Sequence, residues 1–343
     1  MRVQTLAEED TEAWQTTRDA IGDDTTLSVQ SIAETMPDGF RQGFVQVRGH
    51  RLFYRSRGEP AKGTILIIHG GPSASHIIHL PLADLAQFGY RVVWYDQSGC
   101  GRSQRPRDPA NYTLERRAEE AEGVRRALHL RKVHLVGISF GVPIALETAL
   151  RFPKNLASLT LQSGFSSSKD LLEEELRNFA LAPKGIRSTI ERFEGSGDTK
   201  DPRYLAARKK YEDLPRRTSE GRKAVIGFFR VRPWEAVQMY ATLNPRMDRL
   251  FWGKPGGVLS PVGGSMKDWD ATSRLGEIRL ATLVTVGRFD TLDIRLSRRI
   301  HRGIRGSKLV IFEKSGHGQM YGERDLYMET MRDFINDVGS RAR

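Results

Sequence analysis

Val133-His-Leu-Val-Gly-Ile-Ser-Phe-Gly-Val142 is the stretch whose reading decides the fold. A short run of β-formers leads into Gly137-Ile138-Ser139-Phe140-Gly141. Pro143-Ile-Ala-Leu-Glu-Thr-Ala-Leu150 then presents the apolar face of a helix. Strand, abrupt turn and helix is the setting in which G-x-S-x-G reads as a nucleophile elbow, a serine on a strained turn with its hydroxyl raised above a sheet. Glycine is required on both sides because backbone passes close to such a turn and a Cβ would block it. The helix N-terminus aims its free N–H groups at the same place. Alone the pentapeptide is a weak signal, because a glycine-bearing strand–helix turn without chemistry matches it equally well.

The sequence on either side repeats the same rhythm. Thr64-Ile-Leu-Ile-Ile68 is continuous apolar sequence, the mark of a strand buried on both faces, and it runs into His69-Gly70-Gly71-Pro72. Residues 81–88 read as a helix, 90–95 as a strand, and 96–103 as a glycine-rich loop. Residues 114–130 read as a long amphipathic helix and 156–161 as a strand. Upstream, residues 44–47 and 51–55 form a two-strand meander about a tight turn at Gly49-His50. Strands alternating with helices at these lengths imply an α/β fold, a mostly parallel sheet with helices on both faces. After Ser163 the alternation stops. Helical patches at 171–181, 202–213 and 235–243 follow, then five closely spaced glycines between 253 and 264. Strands return at 281–286 and 308–312, and a helix at 325–338 closes the chain. The economical division is an N-terminal arm at 1–42, a first core part at 43–164, a helical cap at 165–274, and a second core part at 275–343.

Bulk properties narrow the functional classes. The 343 residues suffice for one large domain with an insert, and no apolar run reaches the length of a membrane span. The N-terminus lacks the basic-then-apolar layout of a signal peptide, so the expected compartment is the cytoplasm, with no membrane partner. A single cysteine, Cys100, excludes an internal disulfide framework and a cysteine-based zinc cluster. Cys100 reads as a packing residue, and no metal or other cofactor is expected. The net charge of +12 raises nucleic acid as a partner, but the arginines are interleaved with acids, as in Glu115-Arg-Arg-Ala-Glu-Glu-Ala-Glu122. That is the pattern of a solvated helix face, and no nucleic-acid role is expected. The acidic arm at 1–42, with a plausible helix near 5–20, is a candidate for packing on the body or for self-association. The sequence does not give the oligomeric state.

A serine hydroxyl needs a base to become a nucleophile, and the base needs a carboxylate to fix its tautomer. After Ser139 the chain offers two histidines. His301 lies in a helical stretch and reads as a surface or packing residue. His317 lies in a glycine-flanked loop after the strand at 308–312, beyond the carboxyl end of a strand, where ligands of such sheets bind. Asp290 stands in the matching place after the strand at 281–286. Asp293 is the reserve, with helix capping as its ordinary role. The two oxyanion donors expected of acyl transfer are the N–H of Phe140 and that of Gly71. Gly70 provides backbone clearance, and His69 orients the loop. The glycines of 96–103 are no phosphate cradle, since no lysine follows in P-loop spacing.

Together, His69-Gly-Gly-Pro72, Tyr95-Asp-Gln-Ser-Gly-Cys-Gly-Arg-Ser103, Gly137-Ile-Ser-Phe-Gly141, Lys267-Asp-Trp-Asp270, Val286-Gly-Arg-Phe-Asp290 and Ser315-Gly-His317 resemble the proline iminopeptidase family. The resemblance covers roughly residues 43–338 and extends to its tricorn-interacting aminopeptidase and proline amide hydrolase branch. It implies an α/β-hydrolase fold, a Ser139–Asp290–His317 triad, and a small-molecule or short-peptide substrate held under the cap. Gly70, Trp234, Glu235, Trp252 and Thr291 are the candidates for the substrate pocket. Two departures keep alternatives open. Family exopeptidases hold the free α-amine with glutamates, one directly after the catalytic Asp; here that place is Thr291. The region before Lys267 has no acid in Gly256-Gly-Val-Leu-Ser-Pro-Val-Gly-Gly264, which leaves Glu235, Asp248 or Asp268 to substitute. A buried cation without a carboxylate is costly. Cleavage of an amide or peptide bond of an aminoacyl substrate is therefore set beside an esterase or acyltransferase acting on a neutral acyl group. A non-catalytic ligand-binding relative is the reading from a different class.

Overall fold

In this computed structural model the described residues are 39–214, 216–217, 219, 221, 223, 244–252, 259 and 263–341. Trp234, Glu235, the helical patch at 235–243 and the arm up to residue 38 lie outside them.

Among the described residues, eight strands form one sheet: β1 Phe40–Val47, β2 His50–Arg57, β3 Gly63–Ile68, β4 Tyr90–Tyr95, β5 Val133–Ile138, β6 Leu156–Gln162, β7 Thr282–Gly287 and β8 Lys308–Phe312. Their order is β1-β2-β4-β3-β5-β6-β7-β8. β2 is antiparallel to both β1 and β4, and every pairing from β4 through β8 is parallel. The hairpin turn sits one residue earlier than the sequence suggests. Val47 pairs with His50, so the two turn residues are Arg48 and Gly49, at φ 56° and 79°. Positive φ at both central positions matches the twist of the flanking strands.

The apolar runs are continuous because each strand faces two cores. On β3, Leu66 and Ile68 enter one cluster, and Ile65 and Ile67 the other. On β4, Val93 and Tyr95 face the first, and Val92 and Trp94 the second. The longer helices among the described residues are α1 Leu114–Ala127, α2 Gly141–Arg151, α3 Ser168–Ala180, α4 Lys184–Ser196, α5 Pro202–Glu212, α6 Pro245–Trp252, α7 Ile294–Gly303 and α8 Arg324–Arg341. The first core is closed by α1, α2 and α7, through residues such as Val124, Leu146 and Ile300. The second is closed by α8 and by a 3₁₀ segment, His76–Phe88, through Leu82, Leu85, Met331 and Phe334. That segment starts five residues before the helix read from sequence, because Ile77, Ile78 and Leu80 are buried as well.

Between β6 and β7, α3, α4 and α5 share a small core of their own: Phe179, Ile190, Phe193, Tyr204, Ala207 and Tyr211. Buried carboxylates tie α3 back to the sheet body. Glu174 pairs with Arg295 at 3.0 Å, and Asp170 pairs with Arg299. The Lys267–Asp270 stretch is anchored beneath. Trp269 Nε1 donates to Glu147 Oε1 on α2 at 2.9 Å, and Ala271 N donates to Ser166 O at 2.8 Å. Asp293 caps α7 by accepting from Arg295 N, which is the ordinary role foreseen for it.

Candidate active site

The sheet order reverses around β3, and the loops after β3 and β5 therefore open side by side at the carboxyl edge, where open α/β sheets bind ligands. Ser139 stands there at φ 55°, a left-handed conformation that a non-glycine residue rarely adopts. Its N–H donates to Gln162 O at 2.8 Å, and its carbonyl accepts from Val142 N at 2.9 Å. The glycines on either side are required by contact. A Cβ on Gly141 would stand 2.3 Å from Ile68 O, and one on Gly137 would stand 2.5 Å from Gly141 O. Gly141→Ala is expected to cost about 3 kcal/mol through backbone overpacking. Gly185→Ala, on α4 with open space around it, should be neutral or stabilising. Thermal denaturation of the two variants checks the contrast.

Gly70 is the clearance residue of the β3 loop. A Cβ there would meet Ser139 Cβ at 2.9 Å and Ile138 O at 3.0 Å. Gly71, at φ 129°, precedes a cis Pro72, and Ser73 and Ala74 amides crowd the place of its missing Cβ. Among the described residues, neither Gly71 N–H nor Phe140 N–H has an internal acceptor. Phe140 is the cap residue of α2, and its ring meets Phe251 and Trp252 of α6 edge-on at 4.9 and 5.4 Å. Trp252, one of the pocket candidates, thus lies beside the elbow. The same helix places half-buried Asp248 against Ser73, which holds a side-chain hydrogen bond to it. Burial pushes the Asp248 carboxyl up, partly offset by Ser73 and Arg249.

Asp290 and His317 are brought together. His317 Nδ1 lies 2.8 Å from Asp290 Oδ1, and the two side chains are 12% and 1% exposed. Asp290 Oδ1 also accepts from Leu292 N at 2.9 Å, which fixes the carboxylate plane. The two loops are stitched along their backbones: Arg288 N donates to Phe312 O, and Phe289 N to Ser315 O. Gly287 makes this approach possible, since a Cβ there would stand 2.1 Å from Gly316 O. Burial works against a charged His317, yet the charge and hydrogen bond of Asp290 outweigh it and raise the imidazole above its ordinary value. Burial moves the neighbouring histidines the other way, with His69 down to about 4 and His79 well below its usual value.

Gln162 links Ser139 to His317. Its carbonyl holds Ser139 N–H, its Nε2 reaches His317 O at 3.4 Å, and its Oε1 accepts from Tyr327 at 2.6 Å. Ser163, at φ 51°, and the fully buried Gln319 complete the hold. Gln319 Nε2 donates to Ser163 Oγ at 2.8 Å and to Gly316 O at 2.9 Å. Sequence reasoning passed over Gln162, Ser163 and Gln319; the only available signal was the place of the first two at a strand end and of the third two residues after His317. It also missed the set behind the β3 loop. Asp96 Oδ1 holds His76 Nδ1 at 2.7 Å, and His79 Nε2 accepts from Gly70 N at 3.2 Å. His69 donates from Nδ1 to Gly70 O and accepts at Nε2 from Gln97 N, which is the loop-orienting role expected for it. Cys100 is fully buried, and burial pushes its thiol up to about 12, so it packs and does not react. His301 lies half-buried on α7 beside Ser307, away from this cluster.

Of the remaining pocket candidates, Thr291 is half-buried directly after Asp290, and Asp268 is exposed. No group of three metal-ligating side chains occurs among the described residues. No described helix is long and apolar enough to cross a membrane.

Comparison with known proteins agrees with this architecture. A family profile described as alpha/beta hydrolase fold matches residues 63–323. The proline iminopeptidase of Saccharolobus solfataricus is 33% identical over 302 residues, covering 87% of this chain and 93% of the relative. That of Heyndrickxia coagulans is 30% identical, covering 87% and 100%. Among solved structures, the Mycobacterium smegmatis proline iminopeptidase superposes with a TM-score of 0.72 at 22% identity, covering 88% of this chain and 100% of its own. VinJ gives the same TM-score at 24% identity, covering 87% and 99%. The chain belongs to the α/β hydrolase fold family, in the group whose relatives are proline iminopeptidases.

Proposed function

We propose that this protein is a serine hydrolase that opens an amide or peptide bond of a small aminoacyl substrate through an acyl-enzyme. Ser139 Oγ attacks the carbonyl while His317 takes its proton, and Asp290 holds the imidazole and stabilises the imidazolium. The N–H groups of Phe140 and Gly71 receive the developing oxyanion. His317 then protonates the leaving group, and water activated by the same imidazole releases the acyl group. The observation that carries this reading is the Asp290–His317 pair at 2.8 Å, linked through Gln162 at the end of β6 to Ser139, whose N–H the Gln162 carbonyl accepts. α6, with Phe251 and Trp252 over Phe140, forms one wall of the substrate site.

The base works neutral, so a raised imidazole sets the direction of the pH profile. As pH falls, His317 takes up its proton earlier than a free histidine would, and kcat/KM declines through an acid limb above about 6.5. A limb at or below that value contradicts the Asp290 coupling.

Thr291 after Asp290 supports a second reading, an esterase or acyltransferase for a neutral acyl group, because no carboxylate stands at that place to meet a free amine. Assay of proline and alanine arylamides against neutral acyl esters separates the two. Turnover of arylamides at rates above the esters is expected; turnover of esters alone removes the aminoacyl assignment.

A further inference from the structure

The outermost hairpin of the sheet carries arginine and phenylalanine on one face. Register pairs Phe44 with Phe53, Gln42 with Arg55, and Phe40 with Arg57. Alternation along each strand therefore puts these side chains and Arg51 on one side, while Val45, Val47, Leu52 and Tyr54 turn into the core. The guanidinium of Arg51 stands 4.4 Å from the Phe44 ring centre, that of Arg57 5.2 Å from Phe40, and that of Arg102 4.3 Å from Phe53. Phe44 is 41% exposed, one of few large apolar side chains at the surface among the described residues. Arg55 is buried, yet its Nε and Nη1 have no hydrogen-bond partner among the described residues. Over Phe40–Arg57 there are five arginines and no carboxylate. β1 is also the end strand of the sheet, and proteins usually cover or blunt such edges.

What joins this hairpin has the opposite charge. Residues 1–38 hold nine carboxylates against two arginines, four of the acids falling at Glu8, Glu9, Asp10 and Glu12. The segment connects to β1 through Gly39, and at about 3.3 Å per extended residue it can span the eight-residue strand several times over. A tethered partner meets its site at an effective concentration of the order of millimolar, which favours the chain's own segment over any free competitor. We propose that the acidic segment 1–38 docks on the arginine–phenylalanine face of its own β1–β2 hairpin. The carboxylates meet Arg51, Arg57 and Arg102, and the segment's apolar residues cover Phe44. This assignment is independent of the active-site reading.

Arginine footprinting on the full-length protein tests it. A brief pulse of phenylglyoxal is read by peptide mass spectrometry, with exposed Arg305 on the far side of the sheet order as the internal control. The comparison is between the native chain and a variant carrying Glu8→Gln, Glu9→Gln, Asp10→Asn and Glu12→Gln. Arg51, Arg57 and Arg102 should label several-fold more slowly in the native chain. The protection should also vanish in native protein at about 1 M salt, where the screening length is near 3 Å. Arg305 should label alike throughout. Equal labelling of native and variant chains overturns the proposal. Protection lost on dilution overturns it in favour of a second copy's segment, and protection that appears only with an added oligonucleotide overturns it in favour of nucleic acid.

Discussion

Ser139→Ala is expected to lower kcat by roughly 10⁶-fold, with KM and melting temperature held near the wild-type values. The fold-change follows from the division of labour proposed for the site. Without the hydroxyl, the oxyanion donors and the pocket still bind substrate, but no covalent path remains. Alanine retains a Cβ, so the backbone of the turn, at φ 55° and fixed by Gln162, meets no new contact. Single-turnover kinetics beside a thermal melt separate the chemical loss from any folding loss. A variant that retains a tenth of wild-type kcat would remove Ser139 from the chemistry.

Asp290→Asn is expected to cost about 10⁴-fold in kcat, the scale seen when a triad carboxylate becomes an amide and presents the wrong partner to the imidazole. It carries a second signature that a structural role would not produce. Asp290 is what raises His317 against the pull of burial, so an uncharged partner lets burial prevail and the acid limb of kcat/KM moves to lower pH. The substituted amide can still accept from Leu292 N through its remaining oxygen, so the loop keeps that hydrogen bond. Residual activity with an unmoved limb would show that another carboxylate serves the base. Asp293 is the obvious rival by sequence, but its side chain is taken up by Arg295 N, Arg177 and Ser219.

Much of the candidate site was legible because its residues sit where the sheet rhythm breaks. Continuous apolar runs announce strands with cores on both sides, and Ile65 and Leu66 facing opposite clusters show why the run at 64–68 carries no alternation. Ser139, Asp290 and His317 each follow such a run within a glycine-marked loop, so their place could be read before their distances. The hairpin turn was misplaced by one residue because Gly49 dominated the reading, whereas Arg48 also adopts positive φ. Gln162, Ser163 and Gln319 stayed hidden for a different reason. They act through two side-chain amides, a backbone carbonyl and a hydroxyl, and such contacts exist only once the sheet order brings the loops after β5, β6, β7 and β8 to one edge. The Asp96–His76 pair was unreadable on the same ground, since its partners come from the ends of different elements. The pocket is the least legible part: Trp252 was read only as a pocket candidate, and nothing in its sequence surroundings announced its contact with Phe140.

The central claim is that a single activated serine does the chemistry, and the most direct measurement is the intact mass of the protein after one equivalent of a fluorophosphonate, followed by peptide mapping. The account predicts one adduct per chain, located on Ser139, formed slowly in His317→Ala and absent in Ser139→Ala. An unmodified wild-type chain, or an adduct that persists in Ser139→Ala, would contradict it.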